Sequence, residues 1–256
     1  MLKIVTYNLR TDTSHDGPQA FPYRKPYIRD RLLEEKPDII GFQEVQPHML
    51  AWLREVLEGY EVLGYGRGKN FGDEANPIAY RKDRFELQYF DQRWLSDTPF
   101  VPGSRFADQS GCPRIFAVCL LRDLEEGGHG RFRFVNTHLD HERDYAKIEG
   151  AKQIVAEIDR LNGHIKLPVI ITGDFNATPG SEPLAVFERA GYVDLSASSG
   201  GTFHGYGRAK SEAKIDYIMS TPDVKILSVR MWTEVRDGLY LSDHYPVEVT
   251  VESFGE

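Results

Sequence analysis

Ile170-Ile171-Thr172-Gly173-Asp174-Phe175-Asn176-Ala177-Thr178-Pro179 ends an apolar run on a glycine and at once presents an acid and an amide two residues apart. An apolar run closed by turn residues reads as a buried strand with Asp174 and Asn176 at its mouth. The same letters fit a plain turn in which Asp174 caps a helix. Repetition favours a site. Leu241-Ser242-Asp243-His244-Tyr245-Pro246 delivers an acid and a histidine just before Val247, Val249 and Val251 alternate as a half-buried strand does. Leu2-Lys3-Ile4-Val5-Thr6-Tyr7 leads to Asn8, Asp38-Ile39-Ile40-Gly41-Phe42-Gln43 to Glu44, and Phe132-Arg133-Phe134-Val135-Asn136-Thr137 to His138. Five strand ends thus each present a polar or ionisable group, and strand ends are where a rigid scaffold carries chemistry.

Helical spacing alternates with these strands. Pro47 suits the first turn of a helix continued by Met49, Leu50, Leu53, Val56 and Leu57. Ile148, Ala151, Ile154, Val155, Ile158 and Leu161 mark a second, with Gly163 as its stop, and residues 27–33, ahead of Pro37, a third. The middle of the chain reads as strands (Ile78-Ala79-Tyr80-Arg81, residues 85–90 and 115–121) joined by turns such as Pro102-Gly103-Ser104 and Glu126-Gly127-Gly128. The pattern predicts an α/β protein of sheets covered by helices, in one domain over residues 1–256. No repeat of about 20 to 50 residues is visible, which leaves open two similar halves that have diverged further.

A net charge of −8 and a pI near 5.5 exclude a protein that grips nucleic acid by charge alone. They leave room for a nuclease whose divalent metal supplies local positive charge. The one basic cluster is Arg67, Lys69, Arg81, Lys82 and Arg84, a candidate groove lining. The chain enters its first strand with no signal-peptide pattern and holds no transmembrane run of about 18 apolar residues. A cytoplasmic protein is expected, an exported one without its leader being the alternative, and no obligate protein partner is evident. Cys112 and Cys119 read as two buried thiols.

Hydrolysis of a phosphate ester needs an activated water, countercharge for the phosphoryl oxygens and help for the leaving oxygen. Glu44, Asp243 and the Asn8 amide offer hard oxygens that suit Mg²⁺ or Mn²⁺, and the spacings that favour zinc are missing. His138 and His244 are candidate donors to the phosphate, each needing an acid to fix its tautomer, and Asp216 on an apolar strand is such an acid. His15, His48, His129 and His164 fall in polar segments and read as surface residues. His141 stays undecided. His204 in Gly201-Thr202-Phe203-His204-Gly205-Tyr206 is either a substrate-facing group or part of a packed turn.

In this order, Thr6-Tyr7-Asn8, Gly41-Phe42-Gln43-Glu44, Asn136-Thr137-His138-Leu139, Gly173-Asp174-Phe175-Asn176, Lys214-Ile215-Asp216-Tyr217 and Ser242-Asp243-His244 resemble the endonuclease/exonuclease/phosphatase superfamily, a bacterial branch of it. The resemblance implies a four-layer α/β sandwich of two packed, mostly antiparallel sheets flanked by helices, the deoxyribonuclease I-like fold. It implies a metal-dependent phosphoesterase with Glu44 as principal ligand and Asn8 and Asp243 nearby. In it Asp174 activates water, Asn176 holds water and phosphate, and His244 with Asp216 stabilises phosphoryl charge opposite His138. Glu74 is similar in placement to the acid that supports the second histidine, and Arg114 to a phosphate-binding arginine. Phe106-Ala107-Asp108 departs from the Trp-Asp that such members carry after Gly-Ser, which concerns the substrate loop.

The leading expectation is a phosphoesterase acting on a small phosphorylated molecule, and the alternative is an Mg²⁺-dependent nuclease. A lipid phosphodiesterase would want an exposed apolar anchor, and a non-catalytic module would lack metal binding.

Overall fold

Two strands of the same half-buried grammar rarely lie alone, and here twelve assemble into two six-stranded sheets in a computed structural model. It describes residues 1–125, 130–222 and 224–253, so the Glu126-Gly127-Gly128 turn and His129 lie outside the described residues.

The first sheet holds β1 (Leu2–Asn8), β2 (Ile39–Gln43), β3 (Tyr60–Leu63), β4 (Ile78–Arg81), β11 (Lys225–Met231) and β12 (Val247–Ser253) in the order β11-β12-β1-β2-β4-β3. The second holds β5 (Phe85–Trp94), β6 (Ile115–Asp123), β7 (Arg131–His138), β8 (Val169–Asp174), β9 (Val193–Asp194) and β10 (Asp216–Ser220) in the order β5-β6-β7-β8-β10-β9. Each sheet has one parallel pair, β1 with β2 and β7 with β8, and its other pairings are antiparallel. Helices make the parallel crossovers, the usual way for a chain to return to the same end of a sheet. They are α1 (Phe21–Glu35) in the first sheet and α3 (Asp144–Asn162) in the second, while α2 (Pro47–Val56) and α4 (Glu182–Arg189) follow β2 and β8.

Strand alternation distributes the apolar side chains over three layers. Ile4, Ile39, Ile78, Phe134, Ile170, Ile218 and Val249 fill the space between the sheets. Val5, Tyr7 and Phe42 face Ile28, Leu32, Met49 and Leu53 of the helices outside the first sheet, and Val135, Ile171 and Tyr217 face Ile154, Ile158 and Phe187 outside the second. The expected four-layer sandwich follows directly, because strands buried on both faces need a helix layer on the outer one. No helix among the described residues is long and apolar enough to cross a membrane.

Helix α1 starts at Phe21, ahead of the expected residue 27, since Pro22 sits at its N-terminus and Pro26 is accommodated inside it. Pro47 opens α2 and Gly163 caps α3 as the sequence implies. Strands β3, β9 and β11 carry weaker patterns, and helix α4 is short; β11 is a largely exposed edge strand.

At one end the two sheets are tied by polar side chains in an otherwise largely apolar interface. Gln43 Nε2 donates to Thr6 Oγ1 (3.2 Å) and to Asn136 Oδ1 (2.8 Å). Asn136 Nδ2 donates to the Phe42 carbonyl at 2.7 Å, and Thr172 Oγ1 to Asn136 Oδ1 at 3.1 Å. Gly41 makes this approach possible: a Cβ there would lie 2.3 Å from Thr172 Oγ1 and 2.6 Å from Asn136 Oδ1. This buried network, in which Gln43 Oε1 alone of these side-chain atoms has no partner among the described residues, ties the register of the sheets, and the strand ends it ties carry the candidate site.

Candidate active site

The ends of β1, β2, β7 and β8 bring Asn8, Glu44, His138 and Asp174 together around a cleft of about 360 Å³. Arg10, Glu44 and Asn176, each just past a strand, hold left-handed backbone angles (φ 57°, 60° and 48°). Non-glycine residues seldom hold that conformation, and three of the eight that do among the described residues stand at the mouths of strands bordering the cleft.

Asn8 bridges two carboxylates: its Nδ2 donates to Glu44 Oε1 (3.1 Å) and Asp174 Oδ2 (3.0 Å), while its Oδ1 accepts from the Arg10 N–H (2.9 Å). Burial opposes ionisation of Glu44, yet the Thr11 N–H at 2.8 Å and the charges of His244 and Arg10 hold its carboxyl below the usual range. Asp174 behaves differently. Burial and the neighbouring Asp216 raise it to about 7, although its Oδ1 accepts from the Asn176 N–H at 2.9 Å. Asp243, raised by burial and by Glu44, stands 3.6 Å from Arg10 Nε.

The two histidines are held in opposite charge states. Burial works against protonation of His244, but Asp216 Oδ2 on its Nδ1 at 2.8 Å, with Asp174 and Asp243 nearby, raises it well above the usual imidazole value. It is an imidazolium whose Nε2 lies 3.8 Å from Asp174 Oδ2. Burial and the charges of Arg114 and Arg67 push His138 well below that value, so it is neutral. Asn176 Nδ2 meets His138 Nε2 at 3.0 Å, which places the proton on Nδ1.

Glu74 lines the cleft, but the expected link to His138 is absent: among the described residues His138 Nδ1 has no hydrogen-bond partner. Glu74 Oε2 instead pairs with Arg67 Nη2 at 2.9 Å, because the buried guanidinium next to it is the stronger partner. Arg114 is buried at the cleft wall, where Nη2 donates to His141 Nδ1 at 2.8 Å and Nε stands 3.8 Å from Asp140 Oδ2. His204 does not line the cleft. Its ring stacks on Tyr245 (3.9 Å between centroids) and accepts from the Gly207 N–H, so it is the packed turn of the two readings, and its neighbour Phe203 faces the cleft.

Sequence reasoning missed Arg10, Thr11, Phe203 and Ile215 as lining residues and left His141 undecided. Cys112 also reaches the cleft and is only partly buried, whereas Cys119 is buried as expected. His15, His48 and His164 are exposed as expected. Of the basic cluster only Arg67 reaches the cleft. Arg81 pairs with Asp38 and Asp83, and Arg84 with Asp38, Asp123 and Glu125, at the far ends of the sheets. They are structural ion pairs and do not line a groove.

The arrangement fits a divalent cation. Glu44 and Asp243 raise the cost of each other's charge, Glu44 and Asp216 do so at Asp174, and all these donors are hard oxygens. Oxygen and nitrogen atoms of Glu44, His138 and Asp174 all lie within 4.8 Å of one another.

The model of the endonuclease/exonuclease/phosphatase family matches residues 5–244. The chain belongs to the endonuclease/exonuclease/phosphatase family. An endonuclease/exonuclease/phosphatase of Bacteroides vulgatus superposes on this member with a TM-score of 0.90 at 31% identity, over 98% of both chains. A mannosyl-6-phosphatase of Bacteroides thetaiotaomicron gives 0.87 at 28% identity, over 98% of this chain and 100% of the other. The catalytic domain of human Nocturnin shares the fold, with a TM-score of 0.76 at 19% identity over 98% and 93% of the two chains. No curated protein matches the sequence. Membership of this family makes the protein a hydrolytic phosphoesterase.

Proposed function

We propose that this phosphoesterase is a divalent-metal-dependent phosphomonoesterase for a small phosphorylated molecule, with Asp174 as the base that activates water. The observation that carries the reading is the composition of the cleft: carboxylates of Glu44, Glu74, Asp174 and Asp243 interleaved with the cations Arg10, Arg67, Arg114 and His244, within about 360 Å³. Such a space suits a compact dianion. A nuclease reading loses the basic groove it would use, since Arg81 and Arg84 are spent on structural pairs elsewhere. The monoester reading agrees with the description of the Bacteroides thetaiotaomicron relative as a mannosyl-6-phosphatase.

Glu44 and Asp243 would hold Mg²⁺ or Mn²⁺, with Asn8 beside them, and the bound ion supplies Lewis-acid polarisation and countercharge for the phosphoryl group. Asp174 takes the proton from the attacking water, and a carboxylate poised near neutrality is suited to that step. Asn176 and Asn8 hold the Asp174 carboxylate by one bond to each of its oxygens. The His244 imidazolium, kept charged by Asp216, faces developing phosphoryl charge, and neutral His138 faces it from the second sheet. Arg114 and Arg67 bind the remaining phosphate oxygens.

Hydrolysis of a chromogenic phosphomonoester and phosphodiester pair, with EDTA and Asp174→Ala as controls, tests this. The monoester should turn over faster, with chelation abolishing the rate and Asp174→Ala lowering it by about 10²-fold to 10⁴-fold. Preference for the diester, or a rate indifferent to EDTA, would sink the proposal.

A further inference from the structure

Arg24 is completely buried in α1, yet it forms no ion pair with a carboxylate among the described residues. Its guanidinium is spent on backbone carbonyls. Nη1 donates to Leu9 at 2.9 Å and to Leu241 at 2.6 Å, Nη2 to Arg10 at 3.2 Å, and Nε to Gln19 at 2.6 Å. Leu9 and Arg10 immediately follow Asn8, and Leu241 immediately precedes Ser242, Asp243 and His244. These two segments are far apart in sequence, and one planar fork gathers them at a single point. The Tyr7 hydroxyl adds a second bond to the Leu241 carbonyl at 3.1 Å.

A buried charge without a counterion is costly, and an aliphatic side chain would fill this space without that cost. The shape of the guanidinium gives a reason for keeping it, since five donors in a fixed plane can span carbonyls that a single ammonium cannot. Its charge also lies behind the acids of the cleft, where it favours the ionised form of Asp243.

We propose that Arg24 is a positioning residue that clamps the segment after Asn8 to the segment before Asp243, setting the spacing of the oxygen donors on the first sheet. The inference rests on the reading of Glu44 and Asp243 as metal ligands. It distinguishes the halves of the site, because His138, Asp174 and Asn176 stand on the second sheet and make no contact with the clamp in the bonds above.

Isothermal titration of Mg²⁺ and Mn²⁺ into the full chain, compared with Arg24→Lys and Arg24→Met, tests it, alongside thermal unfolding and turnover of a chromogenic monoester. A folding defect lowers the number of binding-competent molecules and leaves their dissociation constant unchanged. A positioning defect moves the constant itself. Arg24→Met should weaken metal binding by about 10-fold to 100-fold, the usual effect of losing a group that orients ligands. Arg24→Lys keeps the charge but cannot span all four carbonyls, so it should fall between the two. If Arg24→Met does not fold, Arg24→Lys decides: a folded lysine variant with unchanged metal affinity overturns the proposal. A parent chain that binds neither metal overturns the ligand reading and this inference together, whereas normal binding by both variants overturns the inference alone.

Discussion

Replacing Asp174 by Asn should stabilise the metal-free protein in alkaline buffer while removing its activity. Burial and Asp216 raise the folded-state value from the ordinary 3.8 to about 7, so the folded chain holds this proton more tightly than the unfolded chain does. For a raised group the stabilising contribution is complete below about pH 4 and is lost as pH rises to about 7. Between pH 5 and pH 8 the part from 5 to 7 is lost, about two units at about 1.4 kcal/mol each, or on the order of 3 kcal/mol. Asn cannot titrate, so the stability difference between the variant and the parent should grow by that amount over this range. For a chain of this size it is a change of about 6 to 12 °C in the difference between the two melting temperatures. Unfolding in EDTA at pH 5 and pH 8 measures it directly. A difference that stays constant with pH would show that Asp174 is ionised like an ordinary aspartate and would remove the basis for its role as a base. Saturating Mg²⁺ should narrow the difference, since a cation relieves the crowding that raises the acid.

The raised acid also shapes the acid side of the activity profile: at sub-saturating Mg²⁺ kcat/KM should rise with pH as Asp174 loses its proton, the limb should move to lower pH as Mg²⁺ is raised, and the residual rate of Asp174→Asn should lack it. Asp216→Asn removes the carboxylate that holds His244 charged, so the rate should drop about 10²-fold or more at neutral pH and recover partly in acid, read from the pH dependence of kcat. Gly41→Ala places a methyl against Thr172 and Asn136 in the seam between the sheets and should lower stability by about 1 to 3 kcal/mol or more in a urea titration. Phe203→Ala should leave metal binding unchanged while altering KM for monoesters with bulky leaving groups, because Phe203 and Ile215 are the apolar part of the cleft wall.

Most of the fold was legible because its strands are buried on both faces or alternate cleanly, as Leu2-Lys3-Ile4-Val5-Thr6-Tyr7 and Phe132-Arg133-Phe134-Val135 do. Strand β11, exposed along most of its length, carries no such burial signal. The candidate residues Asn8, Glu44, His138 and Asp174 were legible for the same reason as the strands: they stand at the ends of largely apolar strands. Arg10, Arg67 and Phe203 enter the cleft from loops, where no period tells which side chain turns inward. Glu74 was correctly placed at the cleft but its partner was not. Which of two nearby groups a carboxylate meets depends on a few ångströms of loop path that spacing does not encode.

The repeat that the sequence hides is visible in the topology. Strands β5-β6-β7-β8-β10-β9 and β11-β12-β1-β2-β4-β3 follow one plan: a hairpin, a strand, a helical crossover to a parallel strand, a second helix, and a final hairpin. Superposing the plans pairs Asn8 with His138 at the first parallel strand and Glu44 with Asp174 at the second. It pairs Glu74, before β4, with Asp216, at the start of β10, and His244, before β12, with Arg114, before β6. The charge partners then cross between the halves. Asp216 of the second half holds His244 of the first, while Glu74 of the first lowers the cost of charge on Arg114 of the second. Asp216 thus serves a cation of the other half, whereas Glu74 pairs with Arg67 of its own half and Arg114 also stands 3.8 Å from Asp140 of its own, and neither sheet alone carries all of these groups. Glu74 is the counterpart of Asp216 in this scheme, but its loop delivers it to guanidinium groups, which need no carboxylate to fix a tautomer and gain only charge. One acid thus sets the protonation of a histidine and the other offsets the charge of arginines.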